Sequence, residues 1–350
     1  MPPDTQRRKV LVVTDKSIWR LEAGAHARSH GLANYLGTRT DLAIAALGPA
    51  RPGNEEILTT RPRSWRFAWL GRDRPLRQSE YARRLHDYCV TKSIDICIIE
   101  RLHLAYLRDA LPPGVRAFID THDLVAVREA GMRERGLRNE HTVTRAEEFD
   151  ILRNFDRAIL IQQEDYAELG AAIGARNRIL TPHPVEFGQK PARPQVRSIG
   201  FVASGWIANV DAMNWFFEDI WPRVHRPGPS LDIHGHICDL LKNFSVEGLA
   251  LKGYGADLNA VYGAIDIVIN PVRAGAGLQI KSVEALGNGL PLVTTTEGAR
   301  GLPKADSQFL LVADDTAGFA DHLVRLIDDA ALRKELGQSA HDYPWGRQGG

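Results

Sequence analysis

The chain has 350 residues, of which 44% are hydrophobic and 25% are charged, and its formal net charge is +1. This length exceeds one ordinary domain and suits two, and the composition is that of a globular protein with cores of normal size. A net charge so close to zero excludes a general electrostatic argument for nucleic acid binding.

The N-terminal segment does not resemble a secretory signal, because the apolar run Val10–Val13 is short and Asp15 follows it closely. No stretch of the sequence approaches the roughly 18 apolar residues that a membrane-spanning helix requires. The three cysteines, Cys89, Cys97 and Cys238, form no CxxC pair, and this usage suits a reducing cytosol. We therefore expect a cytoplasmic protein that can touch a membrane but does not cross it.

Short apolar runs alternate along the chain with amphipathic segments of helical length. Runs of four to six apolar residues are typical of strands that are covered on both faces, and their alternation with helices predicts parallel α/β sheets. The predicted strands are Val10–Val13, Leu42–Leu47, Ile94–Ile99, Val115–Ile119, Ala158–Ile161, Ser198–Val202, Leu231–Ile233, Ile265–Ile269 and Leu290–Val293.

A proline-rich segment between Thr181 and Arg197 contains four prolines and interrupts this alternation. Proline disfavours both helix and central strand, so this segment predicts a linker between two domains. We expect an N-terminal domain over residues 1–185, a linker over 186–197, a C-terminal domain over 198–330 and a final helix over 331–350 that returns toward the N-terminal domain.

The segment from residue 270 to 302 carries the clearest functional pattern. It predicts a strand end, a glycine-containing loop over 273–277, a helix over 279–286 and a further strand over 290–293. A loop of small residues that opens a helix presents free backbone N–H groups and the positive end of the helix dipole. This arrangement is suited to binding a phosphate or diphosphate.

Lys281 and Glu284 lie three residues apart and therefore share one face of the predicted helix. One side chain can approach an anion, and the other can accept hydrogen bonds from ribose hydroxyls. On the residues alone, an ordinary solvated pair remains the alternative.

The same segment resembles the nucleotide-sugar site of retaining GT-B glycosyltransferases, especially family four. The resemblance implies an α/β protein with two Rossmann-like domains that face each other across a cleft. The matching residues are Pro271, Gly275, Gly277, Lys281, Glu284, Ala285, Gly289, Pro291, Val293, Thr295, Gly298, Gly301 and Leu302.

The resemblance implies that Glu284 binds the donor ribose and that the backbone of Gly275, Ala276, Gly277 and Leu278 meets the diphosphate and the sugar. One position departs from the family pattern. Many members have a second glutamate eight residues before the first, and this chain has Ala276 there. The contact of that glutamate with the donor sugar is therefore missing or supplied by another group.

Other parts of the C-terminal half resemble the same family. The loop after the strand at 198–202 resembles a family loop in which Asn209 is the polar contact to the donor. The usual Arg…Lys pair that clamps the diphosphate is not visible, so Arg273 and Lys281 are its candidate substitutes. Gly253 and Tyr254 fall near the expected site of the base, with simple packing as the alternative for the tyrosine.

Two segments of the N-terminal half add candidates. Gly24 matches a Gly-rich loop that opens a helix near the donor diphosphate. His122 follows a predicted strand in the sequence Asp-Thr-His-Asp, and the resemblance implies that it points into the cleft and touches the donor sugar. Alternatively, this histidine merely lies next to a helix cap. The carboxylates of Asp120 and Asp123, which flank it, could orient the imidazole ring.

A basic and aromatic stretch over residues 61–77 contains six arginines together with Trp65, Phe67 and Trp69. Such a composition suits peripheral contact with anionic lipids on the inner membrane face. A solvated loop whose tryptophans pack on the domain is the alternative, and we expect no nucleic acid partner.

Taken with the resemblance, these features predict a retaining hexosyltransferase-type enzyme in polysaccharide biosynthesis. It would transfer a sugar from a nucleotide-diphosphate donor to a hydroxyl acceptor on a glycan, a glycolipid or a small molecule, without a metal ion or cofactor. The alternative is a non-catalytic GT-B protein that acts in binding or as a scaffold. Ala276 and the missing Arg…Lys pair favour this alternative. A dinucleotide oxidoreductase is disfavoured because no GxGxxG follows the first strand.

Overall fold

The computed structural model describes residues 7–16, 18, 24–47, 65–70, 76–137, 142–174, 177–184, 193–255, 257–302 and 308–343. The chain divides into two compact units. One comprises Met1–Leu21, Ala25–Ala126 and Val143–Pro182, and the other comprises Glu22–Gly24, Val127–Thr142 and His183–Gly350.

The first unit contains a seven-stranded parallel sheet in the order β3-β2-β1-β4-β5-β6-β7. The elements up to the end of this sheet are β1 Lys9–Thr14, α1 Gly24–Gly37, β2 Asp41–Ala46, β3 Trp65–Trp69, α2 Gln78–Lys92, β4 Ile96–Glu100, a 3₁₀ helix Leu102–Ala110, β5 Arg116–Asp120, α3 Val125–Glu134, α4 Arg145–Arg153, β6 Arg157–Leu160, α5 Gln163–Ile173 and β7 Arg178–Leu180.

The second unit contains a six-stranded parallel sheet in the order β10-β9-β8-β11-β12-β13. Its elements are β8 Ser198–Val202, α6 Ile207–Trp215, a π-helical turn Phe216–Ile220, α7 Trp221–Val224, β9 Ser230–His234, a 3₁₀ turn His236–Asp239, β10 Leu249–Gly253, α8 Leu258–Ala264, β11 Ile267–Asn270, α9 Ile280–Gly287, β12 Leu292–Thr294, β13 Leu310–Val312, α10 Thr316–Asp328 and α11 Ala330–Asp342.

Both sheets have the strand order of a Rossmann fold, so the α/β class predicted from the sequence is confirmed. The apolar runs become strands because helices cover both faces of each sheet, so that most strand side chains pack in apolar surroundings. In the second unit, Phe201 of β8 packs with Phe216 and with Phe319 of α10 in one continuous core. A separate core around Val12, Ile44 and other strand residues fills one face of the first sheet.

Strand β3 was not predicted, because its arginines and aromatic residues suggested a surface segment. It pairs with β2, and the side chain of Trp65 is buried in the core of the first unit. Trp65 is therefore unable to serve as a membrane anchor. Residues 61–64 and 71–75 lie outside the described residues, and membrane contact through 61–77 stays a prediction.

The C-terminal helix α11 packs within the second unit. The buried guanidinium of Arg333 donates to the backbone carbonyls of Arg193 and Pro194 over 2.8 Å each. It also donates to the last turn of α10, at Leu326. These bonds fix the helix against the start of the unit, and the described residues end at Tyr343.

The predicted linker 186–197 lies largely outside the described residues, which resume at Arg193, so its boundaries stay a prediction. In the described part of the chain, no helix is both long and apolar enough to cross a bilayer. All three cysteines are buried and free of disulfide bonds.

Candidate active site

The order of the second sheet reverses between β8 and β11, which are neighbours. Ligands of open α/β sheets bind at such a point, outside the carboxyl ends of the strands. The loops that follow these two strands cover residues 203–206 and 271–279, and α6 and α9 begin directly after them. Asn209 and Lys281 lie in the first turns of those two helices.

Lys281 and Asn209 contact each other directly. The Nζ of Lys281 donates to Oδ1 of Asn209 over 2.6 Å, and the Nδ2 of Asn209 donates to the carbonyl of Ser204 over 3.0 Å. The ammonium also lies 5.0 Å from the centre of the Phe201 ring. Burial lowers the pKa of Lys281 to about 7, although Glu284 acts in the opposite direction. The amine of Lys281 is therefore about half protonated near pH 7.

Glu284 lies one turn further along α9. The hydroxyl of Tyr262 donates to its Oε2 over 2.9 Å, and Nε2 of His183 lies 4.0 Å from its Oε1. Burial raises the pKa of Glu284 to about 7, against the lowering effects of Tyr262 and Lys281. Tyr262 is itself buried, and its pKa is raised by desolvation and by the adjacent carboxylate. The tyrosine therefore fixes one oxygen of the carboxylate.

A buried polar network holds α9 against the sheet. Asn270, at the end of β11, donates from Nδ2 to Oγ of Ser282 over 2.8 Å. Ser282 donates in turn to the carbonyl of Gly298 over 2.7 Å, and Thr294 donates to the carbonyl of Asn270 over 2.9 Å. This Asn270–Ser282–Gly298 network connects β11, the first turn of α9 and the loop after β12, so the three segments that form the site are fixed together.

The loop before α9 contains the predicted residues Gly275, Ala276, Gly277 and Leu278. Gly277 has φ +69, which is the left-handed region that favours glycine. Leu278 packs against the core under α9, whereas Gly275 is buried and faces the side chains of neighbouring loops. The sequence placed the helix over 279–286, and the structure confirms it within one residue.

Arg273 is engaged by other protein groups. Its Nη2 lies 3.1 Å from both carboxylate oxygens of Asp211, and its guanidinium lies 4.7 Å from the centre of the Trp215 ring. Its role as a diphosphate clamp stays a prediction, and a ligand would have to share this guanidinium with Asp211.

Gly253 is the last residue of β10, and Tyr254 follows it directly. Gly253 has φ +73 and accepts from the backbone N–H of Gly235 over 2.7 Å. The ring of Tyr254, which is 42% exposed, stacks on His236 with centroids 5.2 Å apart and planes 15° apart. These rings present a flat exposed surface of the kind that a nucleobase can stack upon.

Gly24 lies in the second unit and approaches the start of α9. A Cβ atom at Gly24 would stand 3.1 Å from Cβ of Ile280, the first residue of that helix. The residue therefore allows a close approach of the backbone, which is one of the uses of glycine. Residues 19–23, which precede it, lie outside the described residues.

His122 lies in the first unit, directly after β5, with φ +62. Its Nε2 is 3.9 Å from Oε1 of Glu100, which ends the neighbouring strand β4. Burial lowers the pKa of His122 to about 3, so the imidazole is neutral at physiological pH. A left-handed backbone at a non-glycine residue stores strain and is a common feature of functional sites.

Glu100 and Asp120 are buried side by side below His122. Burial and the adjacent Asp120 raise the pKa of Glu100 to about 7. Arg28, also fully buried, places its Nε 3.4 Å from Oδ2 of Asp120 and donates to the carbonyl of Pro182. Arg28 thus neutralises one of the two carboxylates, and the raised pKa of Glu100 favours the neutral, protonated form of the other below about pH 7.

Ligating atoms of Glu100, Asp120 and His122 all lie within 4.8 Å of one another, and they form the sole cluster of this kind among the described residues. Arg28 already provides a positive charge beside Asp120, so the carboxylates have a counter-charge without a metal ion. The expectation of a metal-independent protein stays a prediction.

Sequence reasoning found the residues of α9 but missed their partners. Tyr262, His183 and Asp211 are not part of the motif, although Asp211 follows Asn209 by two residues. His236, which follows the predicted strand Leu231–Ile233, was not among the predicted site residues either. Their contacts join residues of separate βα units that only the tertiary fold brings together, and the local sequence carries no signal for them.

A family model described as "Glycosyl transferases group 1" matches residues 196–329. This range includes β8, β11, α9 and the Asn270–Ser282–Gly298 network. This segment, called the group 1 domain below, is less than half of the chain, and its match supports the resemblance predicted for the C-terminal half. It contains Asn209, Lys281 and Glu284.

The whole chain resembles solved GT-B glycosyltransferases in fold. It matches a structure of S. aureus TarM in complex with fondaparinux, α-GlcNAc-glycerol and UDP at a TM-score of 0.72, with 10% identity and 95% of each chain covered. It matches sucrose-phosphate synthase from Thermosynechococcus elongatus at a TM-score of 0.72, with 14% identity over 96% of this chain and 93% of the other. Anabaena HepE in complex with UDP-glucose matches at 0.69, with 14% identity over 95% and 93%. The predicted GT-B fold is confirmed.

A curated relative from Klebsiella pneumoniae is described as an uncharacterized 44.6 kDa protein in the cps region. It is 23% identical over 207 residues, which span 55% of this chain and 53% of the relative. The match thus covers about half of that relative's length.

Proposed function

We propose that the protein is a glycosyltransferase that moves a sugar from a nucleoside diphosphate donor to a hydroxyl acceptor, with retention and without a metal ion. The observation that carries this proposal concerns two buried, ionisable side chains of α9. Lys281 donates to Asn209, and Glu284 accepts from Tyr262. Both stand at the carboxyl edge of the second sheet, inside the group 1 domain.

The donor would bind through complementary charges. The diphosphate would replace Asn209 as the partner of Lys281 and face the first turn of α9, where the helix dipole favours an anion. Glu284 would accept hydrogen bonds from the ribose hydroxyls through Oε1, because Tyr262 occupies Oε2. The stacked rings of His236 and Tyr254 would border the base.

In the proposed reaction, the bond between the anomeric carbon and the leaving phosphate oxygen breaks while the acceptor oxygen bonds to the same face of the sugar. The departing phosphate takes the proton of the acceptor hydroxyl. Negative charge develops on the leaving group, where the charged form of Lys281 and the backbone N–H groups of the loop stabilise it. No protein nucleophile is required.

The acceptor class is proposed from the relatives. The TarM structure contains UDP and α-GlcNAc-glycerol, the HepE structure contains UDP-glucose, and the curated relative belongs to a cps region. We propose a glycan or lipid-linked acceptor in polysaccharide assembly, with peripheral contact to the inner face of the membrane. UDP-sugars are the first donors to test.

The test is an assay of donor consumption with UDP-, GDP- and ADP-sugars, in the presence of glycan and lipid-linked acceptors, with anomeric products resolved by NMR. Glu284→Ala and His122→Ala are each expected to reduce transfer by at least about 100-fold, because interactions with donor and transition state are lost. The exposed substitution Glu335→Ala is the matched control. If no sugar nucleotide binds at millimolar concentration, the proposal is wrong.

A non-catalytic binding protein is the second candidate. The observation that favours it is that both predicted diphosphate cations are already paired, Lys281 with Asn209 and Arg273 with Asp211. Tight binding of a sugar nucleotide with neither transfer nor hydrolysis, across the acceptor panel, would favour this candidate over the enzyme.

A further inference from the structure

The two ring nitrogens of His122 have different surroundings. Nε2 is buried and makes no hydrogen bond to a described residue, and Oε1 of Glu100 lies 3.9 Å from it. Nδ1 does not belong to the buried atoms that lack a partner, and 12% of the side chain is exposed. One nitrogen therefore faces a carboxyl group in the interior of the first unit, and the other is the nitrogen that a ligand can reach.

The backbone holds the two side chains in this arrangement. Glu100 is the last residue of β4 and pairs in register with Asp120, the last residue of β5. Arg101 and His122, which follow these strand ends, have φ +77 and φ +62, and the backbone N–H of Arg101 donates to the carbonyl of Asp120 over 2.8 Å. Left-handed backbone at non-glycine residues persists where the surrounding structure fixes it. The facing of Glu100 and His122 is therefore a fixed feature of these two strand ends.

The gap between Glu100 and His122 is about 1 Å longer than a direct hydrogen bond. A buried ring nitrogen without a partner costs free energy, so a small movement of the carboxyl group that closes this gap is favourable. A neutral imidazole carries one proton, and the hydrogen bond at one nitrogen decides which nitrogen holds it. Glu100 is thus placed to decide the tautomer of the ring.

We propose that Glu100 is a positioning residue that fixes the tautomer of His122 and thereby the hydrogen-bonding character of its Nδ1. A protonated carboxyl group donates to Nε2, so the ring proton is on Nδ1, which can donate to a ligand. An ionised carboxylate accepts from Nε2–H, and Nδ1 then offers a lone pair. The change from the first state to the second releases one proton to solvent and leaves the imidazole neutral. Contact between Nδ1 and the donor sugar rests on the proposed function, whereas the position of the ring proton does not.

The groups around Glu100 set the pH at which this change occurs. Burial and the adjacent Asp120 raise the pKa of Glu100 to about 7, against the lowering effects of Ser29, Thr14 and Arg101. The carboxyl group therefore loses its proton near neutral pH.

The ring itself does not titrate in that range. Burial lowers the pKa of His122 to about 3, and the positive charges of Arg101 and Arg28 act in the same direction. Asp120 and Asp15 act in the opposite direction, but Arg28 is paired with Asp120, with Nε 3.4 Å from Oδ2. Near pH 7 the imidazole is therefore neutral, and a change at Glu100 can alter only its tautomer.

The test is nitrogen-15 NMR of the full chain with labelled histidine, because ring-nitrogen shifts distinguish the two neutral tautomers. His122→Gln removes one set of signals and thereby assigns them. Between pH 6 and 8, the wild-type ratio of the Nδ1–H to the Nε2–H tautomer is expected to fall by about tenfold for each pH unit. Glu100→Gln has no titrating group at this position and should keep one ratio throughout. The exposed Glu335→Gln should retain the wild-type titration.

The wild-type titration alone can overturn the proposal, since a single tautomer from pH 6 to 8 contradicts it. A pH-dependent ratio that survives in Glu100→Gln also overturns it, and a ratio that becomes constant in this variant supports it. Unshifted signals of the other histidines show that the variant is folded. No sugar nucleotide takes part in the measurement, so a lack of transfer activity would overturn the proposed function and leave this inference standing.

Discussion

Lys281 and Glu284 are opposite charges one helical turn apart, yet burial moves the pKa of each to about 7. Desolvation outweighs their mutual attraction because both groups are almost completely buried and the charged form of each loses its hydration. A bound anion would change this balance in favour of the protonated lysine. Ligand binding at this position should therefore be linked to proton uptake.

We predict that nucleoside diphosphate binding weakens as the pH rises above 7. The protonated fraction of Lys281 falls by a factor of about ten for each pH unit beyond its pKa, and only that form attracts the diphosphate. Calorimetric affinities between pH 6.5 and 9 measure the slope. Lys281→Arg keeps its charge over this range and should flatten the profile, and equal slopes for the two proteins would contradict the assignment.

The raised pKa of Glu100, in the first unit, leads to a prediction about how stability depends on pH. Its pKa is about 7 in the folded protein and near 4.5 when unfolded, so between these values the folded state binds more protons. Stability should then fall as the pH rises from 4.5 through 7. Glu284, whose pKa is raised to about 7 as well, adds to the same decline, and His122, whose pKa is lowered to about 3, opposes it. Glu100→Gln is therefore expected to make the decline shallower, as measured by the melting temperature from pH 5 to 8. The exposed Glu335→Gln should retain the wild-type profile, and a decline in Glu100→Gln as steep as in the wild type would refute the prediction.

The sequence identified the residues of α9 because their spacing along one helix is local information. It did not identify Glu297, whose carboxylate reaches Gly275 from a loop more than 20 residues away in the chain. It offered Arg273 as a diphosphate contact, and the pairing of this residue with Asp211 depends on packing between two helices and loops. Side-chain partners from separate strands become visible only with the tertiary fold.

Among the elements, the loop after β12 is fixed by a close contact at Gly298. A Cβ atom there would stand 2.7 Å from the carbonyl oxygen of Asn270 and would also collide with Thr294. Gly298→Ala is therefore expected to destabilise the protein by roughly 1–3 kcal/mol, as overpacking of a core typically does. Chemical denaturation measures the free energy of unfolding.

Gly263 is the matched control for this substitution. It lies in α8, and nothing lies within 4 Å of a Cβ atom built there. Gly263→Ala should leave stability unchanged or raise it by up to about 1 kcal/mol, because alanine favours helix. Equal effects at the two glycines would mean that the Gly298 contact has no energetic role.

Most strands were predictable because apolar runs indicate buried parallel sheet, and the predicted helix at 279–286 was right within one residue. Strand β3 was missed, although Trp65, Phe67 and Trp69 alternate with the other residues as in a strand. The arginines around it suggested a surface. Pairing with β2 outweighs that local composition, since the edge position of β3 leaves part of the strand half-buried.

At the scale of the whole molecule, the two units have separate sheets and separate cores. We predict that UDP, or another diphosphate that binds, slows hydrogen exchange in residues 203–209, 271–284 and 294–300 because these segments form the proposed site. Strands β2 and β3 should exchange at unchanged rates. Mass spectrometry with uridine as the control ligand measures this, and protection spread evenly over both sheets would contradict the placement.

The Asn270–Ser282–Gly298 network has an evolutionary consequence. It secures the framework of the site with buried hydrogen bonds, whereas Tyr254 and Glu297 occupy the rim and are not part of that network. Replacement of a rim residue therefore leaves the hydrogen bonds of the framework in place. Related chains can therefore carry different residues at the rim while they keep the same scaffold.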